Sequence, residues 1–164
     1  MGLLQLILLL ATFLCSLVAG FLLAFAVVVM PGLKRLSDRE FIRAFQVMDG
    51  VIQRGQPIFV LVWAGSVATL AVAAVLGLWS LDGADRLLLV VAATLYLLGV
   101  QLPTFIVNVP LNNQLQALAL DGLEEPAQAS ARRAFEPRWN RWNAIRTVVA
   151  SLTSVLLILL MLRL

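Results

Sequence analysis

The stretch Leu3–Leu33, LLQLILLLATFLCSLVAGFLLAFAVVVMPGL, runs for 31 residues without a charged side chain. An α-helix rises about 1.5 Å per residue, so roughly 20 apolar residues cross a hydrocarbon core about 30 Å thick. The stretch therefore predicts a transmembrane helix. Three further charge-free stretches follow, at residues 56–81, 87–120 and 147–162.

The composition agrees with a membrane protein, because 62% of the 164 residues are hydrophobic and only 13% are charged. Soluble domains are about half apolar and a quarter charged. We therefore predict an all-α, integral membrane four-helix bundle with short interfacial helices in its two long loops. Residues 1–164 form one domain, with spans at about 3–30, 57–80, 87–108 and 142–162.

The basic residues are distributed unevenly between the predicted loops. Ten of the twelve Lys and Arg residues lie in or beside the two long loops, and only Arg86 and Arg163 lie on the opposite side. Positive charge favours cytoplasmic loops. We expect a bacterial inner membrane protein with both long loops in the cytoplasm and both termini outside. Arginines that serve a ligand instead would weaken this topology signal.

The first long loop begins with SDRE, residues 37–40, which is a capping-box pattern for a helix start. Phe41, Phe45, Met48 and Ile52 then recur at helical spacing, and Asp49 lies off that apolar stripe. This pattern predicts a short helix that lies on the membrane surface or packs across the mouth of the bundle. Gly55 and Pro57 are expected to end it and to start the next span.

The second long loop carries two prolines that indicate helix starts. Pro126 predicts a short polar helix, and Pro137 predicts the first turn of the last long helix. The other connection contains Asp82-Gly83, a typical tight turn. A weak internal repeat also relates residues 20–31 to residues 99–110, 79 positions later, and favours duplication of a helical hairpin.

Polar residues concentrate on one face of the third span, within GVQLPTFIVNVPLNN at residues 99–113. Pro103 and Pro110 each remove a backbone hydrogen bond, and irregular backbone in a membrane is tolerated where it is buried in protein or lines a cavity. The face consists of Gln101, Thr104, Asn108 and Asn112. Two interpretations remain open: amides that hold neighbouring helices together, or one wall of a binding site.

The last span carries a second polar face, formed by Trp139, Trp142, Asn143 and Arg146 at positions i, i+3, i+4 and i+7. Counting about 20 residues from the far boundary puts Asn108 at the inner membrane edge and Arg146 about one turn inside it. Arg146 could reach the headgroups, and the tryptophans could belong to an aromatic belt. The alternative is that the polar faces of the third and last spans together form one site. Trp63, in the second span, is then either core packing or part of the pocket wall.

Several kinds of chemistry are disfavoured by the residue content. The chain has no histidine and one cysteine, so we expect no bis-histidine haem, no typical zinc or copper site and no dithiol chemistry. None of the predicted spans contains a carboxylate, which disfavours a membrane-buried proton relay. Amides, arginine and aromatic walls suit an apolar or aromatic ligand whose oxygen is, or becomes, anionic. We predict no cofactor and no metal.

Two motifs resemble a known family. NVPLNN at residues 108–113 and RWNRWNAIRT at residues 138–147, together with AGFLLAFAVVVMPGL at residues 19–33, resemble the anthrone-oxygenase-like family of small four-helix membrane proteins, also described as a domain of unknown function. Fungal relatives are implicated in oxidising anthrones to anthraquinones with molecular oxygen and no evident cofactor. The resemblance carries over the following residues: Asn108, Pro110, Asn112, Trp139, Asn143 and Arg146.

Two functions are consistent with the sequence. The resemblance implies a cofactor-independent oxygenase for an anthrone- or quinol-like molecule, with Arg146, Asn108 and Asn143 as catalytic residues. Asp49 and Glu136 are then the candidate proton acceptors. The expected substrate-binding residues are Asn112, Trp139, Trp142, Gln101, Thr104 and Trp63. The alternative is a non-catalytic membrane protein that binds a lipid or hydrophobic metabolite, or an accessory subunit. Either function implies the lipid bilayer and a hydrophobic small molecule as partners, and no nucleic acid.

Overall fold

The computed structural model describes residues 2–164 as five helices. Four of them are long and apolar enough to cross a membrane, and the fifth is a shorter helix between the first two. The predicted all-α class and the four long apolar helices are therefore confirmed. In chain order the helices are α1 Leu3–Leu33, α2 Asp38–Gln53, α3 Pro57–Ser80, α4 Gly83–Gln116 and α5 Glu125–Arg163.

The long helices form an up-and-down bundle whose two ends differ. One end, the turn end, holds the short α3–α4 connection and both ends of the chain, since the Gln5 amide donates to the Leu164 carbonyl oxygen at 3.0 Å. Arg163 pairs there with Asp85. The opposite end, the loop end, carries the two long loops. Along the bundle α1 packs against α3 and α5, and α4 packs against α5.

Two apolar clusters divide the interior of the bundle. The turn-end cluster is formed mostly by aliphatic residues of the four long helices, including Leu8, Leu70, Leu89 and Leu157, together with Tyr96. The loop-end cluster mixes aromatic and aliphatic residues and joins α2 to α4 and α5, with Phe41, Phe45, Leu111, Phe135 and Trp139 among its members. The polar residues of α4 and α5 lie between the two clusters.

Helix α2 begins and ends as its sequence predicts. The Ser37 hydroxyl accepts the Glu40 backbone N–H, and the Glu40 carboxylate accepts the Ser37 N–H at 3.0 Å. The Ser37 hydroxyl also donates to the Glu40 carboxylate at 2.7 Å, and this bond, together with the one from the Ser37 N–H, lowers the pKa of the Glu40 carboxyl. At the other end Gly55 adopts a φ of 76°, a conformation that glycine reaches without strain. The predicted capping box and short helix are confirmed.

Of the two predicted positions for α2, the structure has the one across the mouth of the bundle. The Phe45 ring lies 4.7 Å from the Phe135 ring and 5.6 Å from the Trp139 ring, measured between centroids. This packing turns α2 so that Asp49 is only 5% exposed. The sequence pattern puts Asp49 off the apolar stripe and does not predict its burial, which α4 makes possible by supplying amide partners for the carboxylate.

Helix α5 is continuous over 39 residues, so the separate short helix predicted after Pro126 is wrong. Pro137 lies inside α5 rather than at its start, where it removes one backbone hydrogen bond. Tertiary contacts hold the helix together around it. Phe135 and Trp139 pack against α2, and Arg132 bonds to Asp38 and Glu136 at 3.0 and 2.8 Å. Among the described residues, only the first long loop therefore contains a separate helix.

Three π-helical segments interrupt the long helices near the middle of the bundle. They are Phe25–Val29 in α1, and Leu97–Gln101 and Thr104–Asn108 in α4. The first and third are related by the 79-residue offset of the sequence repeat, so the repeated sequence carries a repeated backbone irregularity. Single π turns inside α-helices are frequent at functional sites. All three segments lie in the region where the polar residues collect.

Candidate functional site

A cavity of about 210 Å³ lies between the two apolar clusters and is bounded by all five helices. Most of its wall is aromatic or aliphatic, and one side of it is polar. The aromatic residues are Phe21, Phe25, Phe45, Phe59, Trp63, Phe105 and Trp139. The polar residues are Asp49, Thr104, Asn108, Asn112, Asn143 and Arg146. An apolar chamber with a few convergent polar groups is the usual form of a small-molecule site.

Arg146 is the centre of the polar side. Its side chain is 4% exposed, so it does not extend to the headgroups. One terminal nitrogen donates to the Thr104 hydroxyl at 2.9 Å, and the other donates to the Asn143 side-chain oxygen at 3.1 Å. Thr104 is free to accept because its own hydroxyl proton goes to the Val100 carbonyl. The guanidinium is thus held in place by two neutral oxygen atoms.

No carboxylate neutralises Arg146 within residues 2–164. The five ion pairs of this region involve Arg39, Arg86, Arg132 and Arg163 but not Arg146. The Arg146 Nε atom is buried and has no hydrogen-bond partner there. Because an arginine keeps its charge and offers five donors, this side chain has both unused charge and unused hydrogen-bonding capacity. An oxygen atom carrying negative charge would satisfy both.

The side chains of Asn143 and Asn112 form hydrogen bonds with other residues of the site. The Asn143 amide donates to the Leu22 carbonyl of α1 at 3.1 Å, which fixes its oxygen toward Arg146. The Asn112 oxygen accepts the Trp139 indole N–H at 2.8 Å, and its amide donates to Asp49 at 2.8 Å. These bonds orient the amides, so both residues position neighbouring groups.

Asn108 is the amide with the weakest internal bonding. Its nitrogen lies 3.5 Å from the Trp139 carbonyl oxygen, at the limit of a hydrogen bond. Its oxygen has no partner in the part of the chain that the structure describes, although the residue is only 2% exposed. A buried polar atom without a partner is unfavourable by about 1–3 kcal/mol. Asn108 is therefore available to a ligand in the cavity.

Asp49 brings a carboxylate into the same cavity from α2. Its Oδ1 accepts the Asn112 amide at 2.8 Å, and its Oδ2 accepts Gln53 and Gln116 at 2.7 and 3.0 Å. Glu136, the other acidic residue considered from the sequence, pairs with Arg132 and lies in a separate groove with Lys34 and Asn140. The structure thus separates the two acidic candidates.

Comparison with known families identifies the chain at this point. The family model described as anthrone oxygenase matches residues 50–156, which is more than half of the sequence. The chain belongs to the anthrone oxygenase family. No curated protein and no solved structure matches it.

The matched range of the anthrone oxygenase family includes the polar residues of α4 and α5 and the α3 residues of the cavity. Phe21 and Phe25 from α1, together with Phe45 and Asp49 from α2, lie outside that range. The cavity of this family member is therefore completed by residues that the family model does not cover. The predicted family resemblance is confirmed.

Two of the predicted substrate-binding residues do not line the cavity of this anthrone oxygenase family member. Trp142 packs with the loop-end apolar cluster instead. Gln101 lies behind the wall, where its oxygen accepts the Trp63 indole N–H at 2.9 Å. Trp63, Thr104, Asn112 and Trp139 do line the cavity, as do the three predicted catalytic residues.

The aromatic half of the cavity could not be found from motifs. Phe59 stacks on Trp63 with 5.3 Å between ring centroids, and Phe21 meets the Phe59 edge at 5.4 Å. Phe25 lies 5.7 Å from Trp139. In the sequence these phenylalanines look like any apolar residue of a membrane helix, so no local pattern separates them from residues that face lipid.

The cavity opens toward the lipid-facing surface of the bundle. Phe105 lines it and yet is 63% exposed, and Val109 one turn further along α4 is also exposed. Both residues belong to the apolar outer face of a candidate membrane span. The cavity wall thus includes side chains that are also part of the lipid-facing surface of α4.

Proposed function

We propose that the protein is a membrane-embedded oxygenase that acts on an enolisable aromatic ketone of the anthrone type. The single observation that carries the proposal is the Arg146 guanidinium, buried in an aromatic chamber with two neutral acceptors and an unpartnered Nε. Membership of the anthrone oxygenase family supports the same reaction class.

In this proposal the ketone oxygen of the substrate binds to Arg146. Loss of a ring C–H proton converts the ketone to an enolate, whose charge collects on that oxygen. A fixed cation in a low-dielectric site stabilises such a charge far more than water-exposed donors do. Asn143 and Thr104 hold the guanidinium before the reaction begins, so little reorganisation is needed when the charge develops.

Oxygenation completes the reaction without a further reactant. Molecular oxygen adds to the ring carbon of the enolate and forms a carbon–oxygen bond, giving a hydroperoxide after protonation. Loss of the second hydrogen from that carbon and cleavage of the O–O bond release water and leave a quinone carbonyl. One ketone and one dioxygen thus give one quinone and one water, and the proposal includes no cofactor.

The aromatic wall suits a flat, fused-ring substrate. Faces of Phe25, Phe59, Trp63 and Trp139 surround the chamber, and aromatic pairs gain about 0.5–1.5 kcal/mol beyond area burial. A cavity of about 150 Å³ already admits benzene. A tricyclic ketone would occupy the 210 Å³ chamber and extend into the opening beside Phe105.

The direct test uses the purified protein in lipid nanodiscs with anthrone as the probe. Quinone formation in air is followed by chromatography, with the uncatalysed rate subtracted, and binding is followed by quenching of tryptophan fluorescence. We expect Arg146→Gln to lower turnover about a hundredfold, because it removes a charged donor to the developing oxyanion. Arg141→Gln, an exposed arginine on the same helix, is the matched control and should behave like the wild type.

Each result decides between the two functions that the sequence allowed. Turnover that survives Arg146→Gln at the wild-type rate would overturn the proposal. Wild-type protein that binds anthrone tightly but never oxidises it would favour the alternative, a non-catalytic binder of hydrophobic metabolites. If the protein neither binds nor oxidises anthrone, both the proposed substrate class and the proposed oxygenase activity are refuted.

We also propose the membrane arrangement of the site. The excess of Lys and Arg in the two long loops favours a bacterial inner membrane protein with the loop end in the cytoplasm and the turn end outside. The cavity would then lie near the cytoplasmic leaflet, with the bilayer and a hydrophobic small molecule as partners. Nucleic acid is not among the partners that we propose.

A further inference from the structure

Asp49 is the only carboxylate among the described residues that line the cavity. It comes from α2, the helix across the mouth of the bundle, while Arg146 comes from α5. The two charged groups form no ion pair with each other. A negative and a positive group therefore face one chamber from different helices without neutralising one another directly.

The partners of Asp49 leave its charge in place. A carboxylate offers about four lone-pair positions, and three of them are occupied by amide donors from Gln53, Asn112 and Gln116. All three donors are neutral. The carboxylate is thus held in one orientation and has one acceptor position left, on the Oδ1 atom that bonds only to Asn112.

The same hydrogen bonds link Asp49 to the wall on which a ring would stack. Asn112 donates to Asp49 and accepts from the Trp139 indole N–H. The Arg146 guanidinium carbon lies 6.0 Å from the Trp139 ring centroid. A flat molecule against Trp139 would therefore have a carboxylate at the indole N–H side and a guanidinium over the ring side.

We propose that Asp49 is the catalytic base that takes the ring proton, an inference that rests on the proposed function. In this step the substrate C–H bond breaks and its electron pair moves through the ring to the carbonyl oxygen held by Arg146. The proton goes to Asp49 Oδ1. The step is a proton transfer that needs no oxidant, so it precedes and is separable from the reaction with molecular oxygen.

Separation of base and cation across the substrate is the chemical reason for this assignment. A carboxylate in contact with Arg146 would be neutralised and would lose both roles. With the two groups apart, the base withdraws a proton at one end of the conjugated system while the cation stabilises the charge that appears at the other. Proton transfer by a positioned side chain contributes about 10²–10⁴-fold in rate.

The experiment measures this step without oxygen. Anthrone deuterated at its methylene carbon is incubated anaerobically in ordinary water with wild-type protein in nanodiscs, and loss of deuterium is followed by mass spectrometry. We expect wild-type protein to accelerate the loss. We expect Asp49→Asn to lower the protein-dependent rate at least a hundredfold, with anthrone binding retained as judged by tryptophan quenching.

Glu136→Gln is the matched control, because it also replaces a carboxylate by an amide but lies outside the cavity. It should exchange deuterium at the wild-type rate. An Asp49→Asn variant that is folded, binds anthrone and exchanges at the wild-type rate would overturn the base assignment. The proposed function would survive that result, because turnover in air would still depend on Arg146.

Asp49 also joins α2 to α4, so Asp49→Asn could fail to fold. Asp49→Glu then tests the base assignment, because it keeps a carboxylate that can accept from the three amides but displaces the carboxylate oxygens relative to the substrate. A catalytic base predicts that exchange falls more than tenfold while binding and thermal stability stay near wild type. A merely structural residue predicts exchange in proportion to the folded fraction, and that result would refute the proposal.

Discussion

At the scale of single residues, the site is organised by a charge that the fold leaves uncompensated. Arg146 is buried, yet its two acceptors, Thr104 and Asn143, are neutral. An isolated buried charge is unfavourable to folding by several kcal/mol. Because an apolar side chain at this position would avoid that cost, the uncompensated charge is the reason we propose that Arg146 binds an anionic oxygen.

Thr104 provides a test of how firmly that charge is held. We expect Thr104→Val to lower the free energy of unfolding by about 1–3 kcal/mol, because it leaves a buried guanidinium N–H without an acceptor while preserving shape. Thr104→Ser keeps the hydroxyl and should unfold like the wild type. Chemical unfolding in detergent micelles measures both variants. Equal stability of the valine and serine variants would mean that Arg146 finds another acceptor.

The residue-scale geometry was only partly accessible from the sequence. Helical periodicity alone puts Trp139, Asn143 and Arg146 on one face, and depth counting puts Asn108 opposite them. The same periodicity put Asp49 outside the buried stripe. Its partners Asn112 and Gln116 lie more than 60 residues away in the chain. Pairings over that distance depend on tertiary packing, which a local pattern does not record.

At the scale of helices, backbone irregularity creates the space for the cavity. The π-helical segments Phe25–Val29 and Thr104–Asn108 widen α1 and α4 at corresponding positions of the repeat. Pro31 in α1 and Pro110 in α4 follow these two segments at the same distance, and each proline removes a backbone hydrogen bond to a carbonyl within the segment before it. Proline therefore predicts irregular backbone in both helices, and in α1 the Leu22 carbonyl, in the turn before the segment, accepts the Asn143 amide.

Close approach of α4 to α5 is what aligns the two polar faces, and Gly99 permits it. A Cβ atom at Gly99 would lie 2.6 Å from Val149 Cγ1, and β-branched valine has little rotamer freedom in a helix. We expect Gly99→Ala to destabilise the protein by about 1–3 kcal/mol and to weaken anthrone binding. Thermal unfolding in micelles and tryptophan quenching measure the two effects.

Gly20→Ala is the matched control for Gly99→Ala, because a Cβ at Gly20 meets nothing within 4 Å. It should be neutral or stabilising by up to about 1 kcal/mol, as expected for alanine in a helix. The double variant Gly99→Ala, Val149→Ala should recover most of the lost stability. Failure of that recovery would show that the glycine serves the π-helical backbone rather than the contact with α5.

At the scale of the whole molecule, the division between a packed half and a chambered half explains the placement of the site. The turn-end cluster is mostly aliphatic, with Tyr96 as its fully buried aromatic residue, whereas α2 covers the loop end with aromatic side chains such as Phe41 and Phe45. Hydropathy predicts the four long helices, because charge-free length is a local property. The cavity depends on how five helices pack against one another, and amino-acid composition does not predict this packing.

The orientation of this asymmetric molecule determines which leaflet supplies the substrate, and conservative substitutions can report it. In a Cys15→Ala background, Ser80→Cys marks the turn end and Ser130→Cys marks the loop end, both at exposed positions. A membrane-impermeant maleimide applied to intact bacteria should label Ser80→Cys alone, and permeabilisation should add Ser130→Cys, because the basic loops favour the cytoplasm. The reverse pattern would place the Phe105 opening in the outer leaflet. Substrate would then reach Arg146 from outside the cell, and the arginines of the long loops would require an explanation other than topology.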